Sequence, residues 1–273
     1  MTDTTSARPT LHHEDTGGDG RPVVLIHGWP LSGASWKDTV PALTGAGLRV
    51  ITYDRRGFGQ SEPATDGRYD YDALADDLAD LLERLDLRDV SLVGFSMGGG
   101  EVARYVGRHG EDRLHSIAFA AAIPPWLLKS EDHPDGGLPR AEAEKMQAGL
   151  RADREGFLDE FTTNFFSAGG DLKVSEEQRA EAVQLASQAD LDAAVTCIGS
   201  WLEDFTGDLA KVTVPTFVIH GDSDAIVPIE VSGQRTHAQV AGSELVTIKD
   251  GPHGINTSHA DGFNAALVRF LTA

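Results

Sequence analysis

Short apolar runs and amphipathic stretches alternate through the first half of the chain. PVVLIHG, LRVITYD, DVSLVGF and LHSIAFAAA are separated by GASWKDTVPALTGAG, YDYDALADDLADLLERL and GGGEVARYVGRHG. Runs that are apolar at nearly every position suit buried strands, and the alternation predicts an α/β fold with a mostly parallel open sheet and helices on both faces. In the segment that starts near Tyr71, the residues Tyr71, Leu74, Leu78, Leu81, Leu82 and Leu85 recur at helical spacing with aspartates between them. One face of that helix is therefore expected to pack on the sheet. The stretch from Arg8 to Asp15 is expected to hold edge strands.

The rhythm breaks after Ala122. IPPWLLKSEDHPDGGLP is rich in Pro and Gly, and four helical stretches follow at about 140–150, 153–166, 175–189 and 190–205, with no strand expected between them. Strand and helix patterns then resume with VTVPTFVIHG, EVSGQRTHAQVA, SELVTIKDG and ADGFNAALVRFLT. The expected organisation is an α/β core of residues 1–123 and 211–273 with a helical cap, 124–210, inserted into it.

Composition narrows the function. The net charge of -20, from 43 acidic and 23 basic residues, repels nucleic acid and anionic membrane surfaces, so neither is an expected partner. The acidic residues are dispersed along the helices, as solvation of exposed faces requires. Cys197 is the single cysteine, which rules out an internal disulfide and leaves no Cys/His pattern for zinc. No apolar run approaches the length of a membrane span, and MTDTTSARPTLHHEDTGG lacks the basic-then-apolar order of a secretory leader. A soluble, cytoplasmic protein is the expectation.

The junction of DVSLVGF and the following helix reads Gly94-Phe95-Ser96-Met97-Gly98. This is a GxSxG pattern in the strand-to-helix context that gives it meaning. A sharp turn projects the serine hydroxyl at the end of the strand, and glycines on either side avoid collision with neighbouring backbone. A hydroxyl becomes a nucleophile only when a base takes its proton, so an acid and a histidine are required downstream. Asp224, in VIHGDSDAIVP, and His253, in KDGPHGIN, each lie just past an expected strand, at the sheet edge where open α/β folds bind ligands. His253 is the candidate general base and Asp224 the residue that orients it. Asp222 is a rival acid, but a position further into the loop favours Asp224. His27 and His220 end strands, where a packed, hydrogen-bonded role fits better. The oxyanion of acyl transfer needs two N–H donors, for which the backbones of Met97 and Trp29 are the candidates. Aromatic residues Phe95, Trp126, Phe157, Phe161, Phe165, Phe166 and Trp201 are divided between an apolar acyl pocket and plain core packing.

With these residues in place, the chain resembles the α/β-hydrolase superfamily over nearly its whole length. HGWPLSGASW, YDRRGFGQS, GFSMGGGEVARY, HGDSDAIVP and GPHG are similar to the bacterial cofactor-free, or non-haem, haloperoxidases and chloroperoxidases and their arylesterase and perhydrolase relatives. The resemblance implies Ser96 as nucleophile, Asp224 as acid, His253 as base, and Trp29 and Met97 as oxyanion donors. It implies a short-chain or aryl ester or carboxylic acid as substrate and an acyl-enzyme that hydrogen peroxide intercepts. The resulting peracid would oxidise halide with no metal and no cofactor, and a homo-oligomer is suggested. Pro30 is expected either to set where the Trp29 carbonyl points, so that it accepts a hydrogen bond from bound peroxide, or only to shape the loop, and Trp29 to serve as donor, aromatic wall or both; Trp29 and Pro30 are the candidate substrate-binding pair. The alternatives are another serine hydrolase, such as a lactonase or a carbon–carbon bond hydrolase, and a non-catalytic ligand-binding protein.

Overall fold

The structure, a computed structural model, describes residues 9–273. Its main sheet has seven strands: β1 (His13–Asp15), β2 (Pro22–Ile26), β3 (Arg49–Tyr53), β4 (Val90–Phe95), β5 (Leu114–Ala120), β10 (Thr216–Gly221) and β11 (Glu244–Ile248). Their order across the sheet is β1-β3-β2-β4-β5-β10-β11. Within this sheet β1 alone is antiparallel, pairing with β3 at the edge. It is the edge strand expected between Arg8 and Asp15; Arg8 itself lies outside the described residues.

The central strands are uniformly apolar because both faces are covered. Every residue of β4 is buried, as is every residue of β10, and all of β2 after Pro22. The covering helices of the first half are α1 (Val40–Gly45), α2 (Tyr71–Arg84) and α3 (Met97–His109). Asp70 caps α2 by accepting a hydrogen bond from the Ala73 N–H at 2.9 Å. The stripe from Tyr71 to Leu82 is buried as the spacing requires, and Leu85, just past the helix end, is partly buried.

Between β5 and β10 the chain leaves the sheet. It forms α4 (Arg140–Ala152), α5 (Arg154–Phe165), α6 (Glu176–Ala186), α7 (Leu191–Ser200) and the short α8 (Thr206–Leu209). Ahead of these helices β6 (Leu128–Lys129) pairs with β7 (Leu138–Pro139), and the expectation of no strand between the helices is incorrect, because β8 (Ser167–Ala168) pairs with β9 (Asp171–Leu172). The second pair exists because Gly169 and Gly170, at φ 60 and 90, supply the left-handed two-residue turn that a tight hairpin needs. The helix expected to reach 205 stops at Ser200, and Asp204 instead bridges to Trp126. After β10 come α9 (Gly233–Gln239), β11, α10 (Ile255–Ser258) and α11 (Ala260–Leu271). No helix among the described residues is long and apolar enough to cross a membrane.

Candidate active site

Ser96 stands alone between the end of β4 at Phe95 and the start of α3 at Met97. Its backbone lies at φ 54 and ψ -119, a conformation that costs a residue with a side chain about 1–3 kcal/mol. Surrounding bonds hold it there. The Ser96 N–H donates to the Ala120 carbonyl at 2.9 Å, and the Ser96 carbonyl accepts from the N–H groups of Gly99 at 3.0 Å and Ile123 at 3.3 Å. The flanking glycines are a matter of space. A Cβ on Gly94 would run into the Gly98 carbonyl, and one on Gly98 would lie 2.6 Å from the Ile26 oxygen.

Two further loops at the same sheet edge bring the other candidate groups to this hydroxyl. His253 Nε2 is 2.9 Å from Ser96 Oγ, and His253 Nδ1 is 2.6 Å from Asp224 Oδ2. Asp224 Oδ1 accepts the backbone N–H groups of Ile226 at 3.0 Å and Val227 at 2.8 Å, which fixes the plane of the carboxylate. An acceptor on Nδ1 places the imidazole proton there and leaves the Nε2 lone pair facing the serine hydroxyl. Burial alone would raise the Asp224 carboxyl, but His253 and the donated hydrogen bonds of His220 and His253 outweigh it and hold the group well below the usual carboxylate range. Asp224 is thus ionised at working pH. The rings of Phe95 and Phe165 pack against the His253 imidazole with centroids 5.4 and 4.9 Å away, shielding it from water.

The rival groups lie elsewhere. Asp222 is exposed and accepts from Ser223 Oγ and the Asp250 N–H. Cys197 is buried, and burial pushes its thiol up to about 12, so no thiolate competes with the serine. Among the described residues no group of three or more His, Cys, Asp or Glu is placed to hold a metal ion.

Met97 opens α3, so its N–H is one of the donors without an intrahelical partner. The Tyr71 hydroxyl donates to the Met97 carbonyl at 3.1 Å and steadies that residue. Trp29 sits in the loop after β2. There the Leu31 N–H donates to the Gly28 carbonyl at 3.1 Å, as does His27 Nδ1 at 2.9 Å. His27 is neutral because burial, then the nearby Arg55 charge, lower its proton affinity. Its Nε2 accepts the Arg55 backbone N–H at 2.9 Å. Trp29 Nε1 donates to the Ala194 carbonyl at 2.9 Å, and the Trp29–Pro30 peptide is cis. Pro30 is buried and is not among the residues that line the cavity described below.

A buried ion pair ties the two candidate oxyanion elements together. Arg55 Nε meets the Glu101 carboxylate on α3, Tyr53 Oη donates to the same carboxylate at 2.6 Å, and Arg55 Nη2 donates to the His27 carbonyl at 2.7 Å. Removing one partner strands a buried charge. Glu101→Leu is expected to destabilise the fold by ~3–5 kcal/mol, read as a lower urea midpoint. A loss below ~1 kcal/mol would mean that the pair is dispensable.

Ser96 opens into a cavity of ≈ 410 Å³. Its apolar wall includes Trp29, Leu127, Met146, Phe157, Phe161 and Trp201, whereas Glu142, Glu160 and Asn164 are its exposed polar members. Of the aromatic candidates, Phe157, Phe161 and Trp201 line the cavity; Phe95 and Phe165 wrap His253 instead. Trp126 stacks on His133 at 4.2 Å, and Phe166 packs on Phe165. Sequence reasoning missed Glu142, Met146, Glu160 and Asn164. The spacing 157, 160, 161, 164 traces one stripe of α5 and could have revealed two of them.

Comparison with known proteins agrees with this geometry. The family described as alpha/beta hydrolase fold matches residues 21–260. The chain is 44% identical to a non-heme chloroperoxidase of Kitasatospora aureofaciens, over 93% of each chain. It is 34% identical to a bifunctional esterase/perhydrolase of Acinetobacter calcoaceticus, over 98% of each. The crystal structure of a bromoperoxidase from Bacillus anthracis superposes with a TM-score of 0.95 at 52% identity, covering 98% of this chain and 97% of that one. The strand-to-helix turn at Ser96, the hydrogen bonds from Ser96 through His253 to Asp224 and these likenesses lead to one placement: the chain belongs to the α/β-hydrolase family, on the branch of the non-haem haloperoxidases and esterase/perhydrolases.

Proposed function

We propose that this protein is a serine esterase for short-chain or aryl carboxylic esters that also transfers its acyl group to hydrogen peroxide. The observation that carries the reading is the continuous hydrogen-bond relay Ser96–His253–Asp224 opening on a mostly apolar cavity. His253 Nε2 takes the Ser96 proton as Oγ attacks the ester carbonyl. The N–H groups of Met97 and Trp29 receive the oxyanion. The tetrahedral intermediate collapses, the imidazolium protonates the departing alcohol, and an acyl-Ser96 ester remains. Water or hydrogen peroxide then attacks with His253 again as base, giving a carboxylic acid or a peracid. The peracid transfers its terminal oxygen to a halide ion in solution, yielding hypohalous acid and the carboxylate. Residues 124–210 act as the cap that shapes the acyl site, and Trp29 and Pro30 bias the second attack towards peroxide.

A chromogenic acetate ester assayed with a serine-directed fluorophosphonate tests the first half. Turnover and stoichiometric labelling of Ser96 are expected; absence of both overturns the enzyme reading. Hydrogen peroxide and bromide, added with an ester or acetate and a dye that reports bromination, test the second. Ester turnover without bromination would leave a hydrolase with no perhydrolytic step.

A further inference from the structure

His220 ends β10 and is fully buried, four residues before Asp224. Its Nε2 lies 2.8 Å from the Val227 carbonyl oxygen and 3.2 Å from Asp224 Oδ2, the same carboxylate oxygen that His253 engages. A carbonyl only accepts, so Nε2 carries a proton, which is donated to the Val227 carbonyl, and the Asp224 Oδ2 atom lies beside the same N–H, 3.2 Å from Nε2. The other ring nitrogen, Nδ1, is buried with no hydrogen-bond partner among the described residues. It faces Gly233 of α9, where a Cβ would approach to 2.7 Å. A proton on Nδ1 would therefore be a buried donor without an acceptor, which is costly. Geometry alone places the ring proton of His220 on Nε2.

Three hydrogen bonds and one close contact then converge on Asp224: Ile226 and Val227 donate to Oδ1, His253 to Oδ2, and the His220 N–H flanks Oδ2 at 3.2 Å. Without His220 the carboxylate keeps its two Oδ1 bonds and its bond to His253, but Oδ2 loses the N–H group that flanks it on the other side.

We propose that His220 is a positioning residue of this reaction: its Nε2–H holds Asp224 Oδ2 on the line to His253 and draws off part of the charge that would otherwise stabilise the imidazolium. The proposal rests on the serine-hydrolase reading above. Of the titratable groups among the described residues, Asp224 is faced by His253 and His220, and His220 by Asp224; Val227 and Gly233 complete the hydrogen-bond and packing contacts of His220. Loss of the His220 donor has two consequences. Misalignment lowers kcat more than it raises KM, because the relay acts on the transition state and not on substrate binding. A carboxylate that is no longer shared favours the charged imidazole, so the acid limb of kcat/KM moves to higher pH.

Wild-type turnover of the acetate ester is measured first; its absence would sink the hydrolase reading and leave the buried geometry untouched. His220→Leu is then expected to lower kcat about 10–100-fold with KM within about threefold, and to move the acid limb up by roughly half a pH unit. His220→Gln returns a donor to the Nε2 position and is expected to recover most of both. Loss of kcat with an unmoved acid limb, or a Gln variant no better than Leu, overturns the proposal. Should neither variant fold, nitrogen-15 NMR of the wild-type histidine rings at neutral pH decides it. A neutral His220 protonated on Nε2 is expected, and a ring protonated on Nδ1 overturns it.

Discussion

Ser96→Ala is expected to lower kcat for a chromogenic acetate ester on the order of 10⁶-fold, leaving a residual rate about 10³–10⁴-fold above that in water. The large term is expected because Ser96 Oγ is the hydroxyl that the His253 Nε2 lone pair meets. Cys197 is buried with its thiol pushed up to about 12. The small residue of catalysis is expected because the proposed oxyanion donors, the Met97 and Trp29 N–H groups, are untouched by the substitution. KM should move little, since Oγ is a small part of the cavity wall. Stability should not fall: the variant keeps the strained turn, whose hydrogen bonds are all made by the backbone. Steady-state kinetics with fluorophosphonate labelling as a control provide the measurement. A variant that keeps more than about a hundredth of the wild-type rate would assign the nucleophile elsewhere.

Asp224→Asn is expected to cost about 10⁴-fold in kcat, and here the geometry shows why an isosteric change is so damaging. The Ile226 and Val227 N–H groups need an acceptor, so the amide oxygen of the new side chain takes the Oδ1 position. Its NH₂ then faces His253 Nδ1 and donates where a carboxylate accepted. The imidazole proton is driven to Nε2, and His253 presents a donor to Ser96 where a lone pair is required. The same NH₂ also confronts the His220 Nε2–H, donor against donor, so the change destabilises as well. Single-turnover acylation by the ester, followed with thermal unfolding as a control, reads both effects. A rate within tenfold of wild type would show that orientation of His253 does not depend on this carboxylate.

The parts of this molecule that can be read from sequence are those where one physical demand dominates. The runs PVVLI, VSLVGF and TFVIHG are strands because residues buried on both faces must be apolar throughout. The pentapeptide around Ser96 is legible because backbone crowding leaves only glycine at positions 94 and 98. Family and fold follow from these motifs, and the comparisons return the same family. The two-residue strands β6 to β9 are invisible in the sequence because no periodicity can develop over two residues; only Gly169-Gly170 hints at a turn. The aromatic residues of α5 share a helical stripe, but the stripe spans the cavity and the base: Phe157 and Phe161 face the first, Phe165 the second. Spacing shows which residues share a face and not what lies beyond each turn. His220 reads as a packed histidine, and it is one. Its reach to Asp224 depends on how the loop after β10 folds back, which no local pattern encodes.

The carboxylates of Glu142 and Glu160 border the cavity through which Ser96 meets open space, and among the described residues no lysine or arginine lines it. Hydrolysis converts a neutral ester into an anion at neutral pH, whereas a peracid is a far weaker acid than its parent and stays largely uncharged. Two negative groups over a low-dielectric cavity repel the first and are indifferent to the second. A carboxylate is therefore expected to need a much higher concentration than a neutral ester to occupy the site, whether it enters as product inhibitor or as acyl donor.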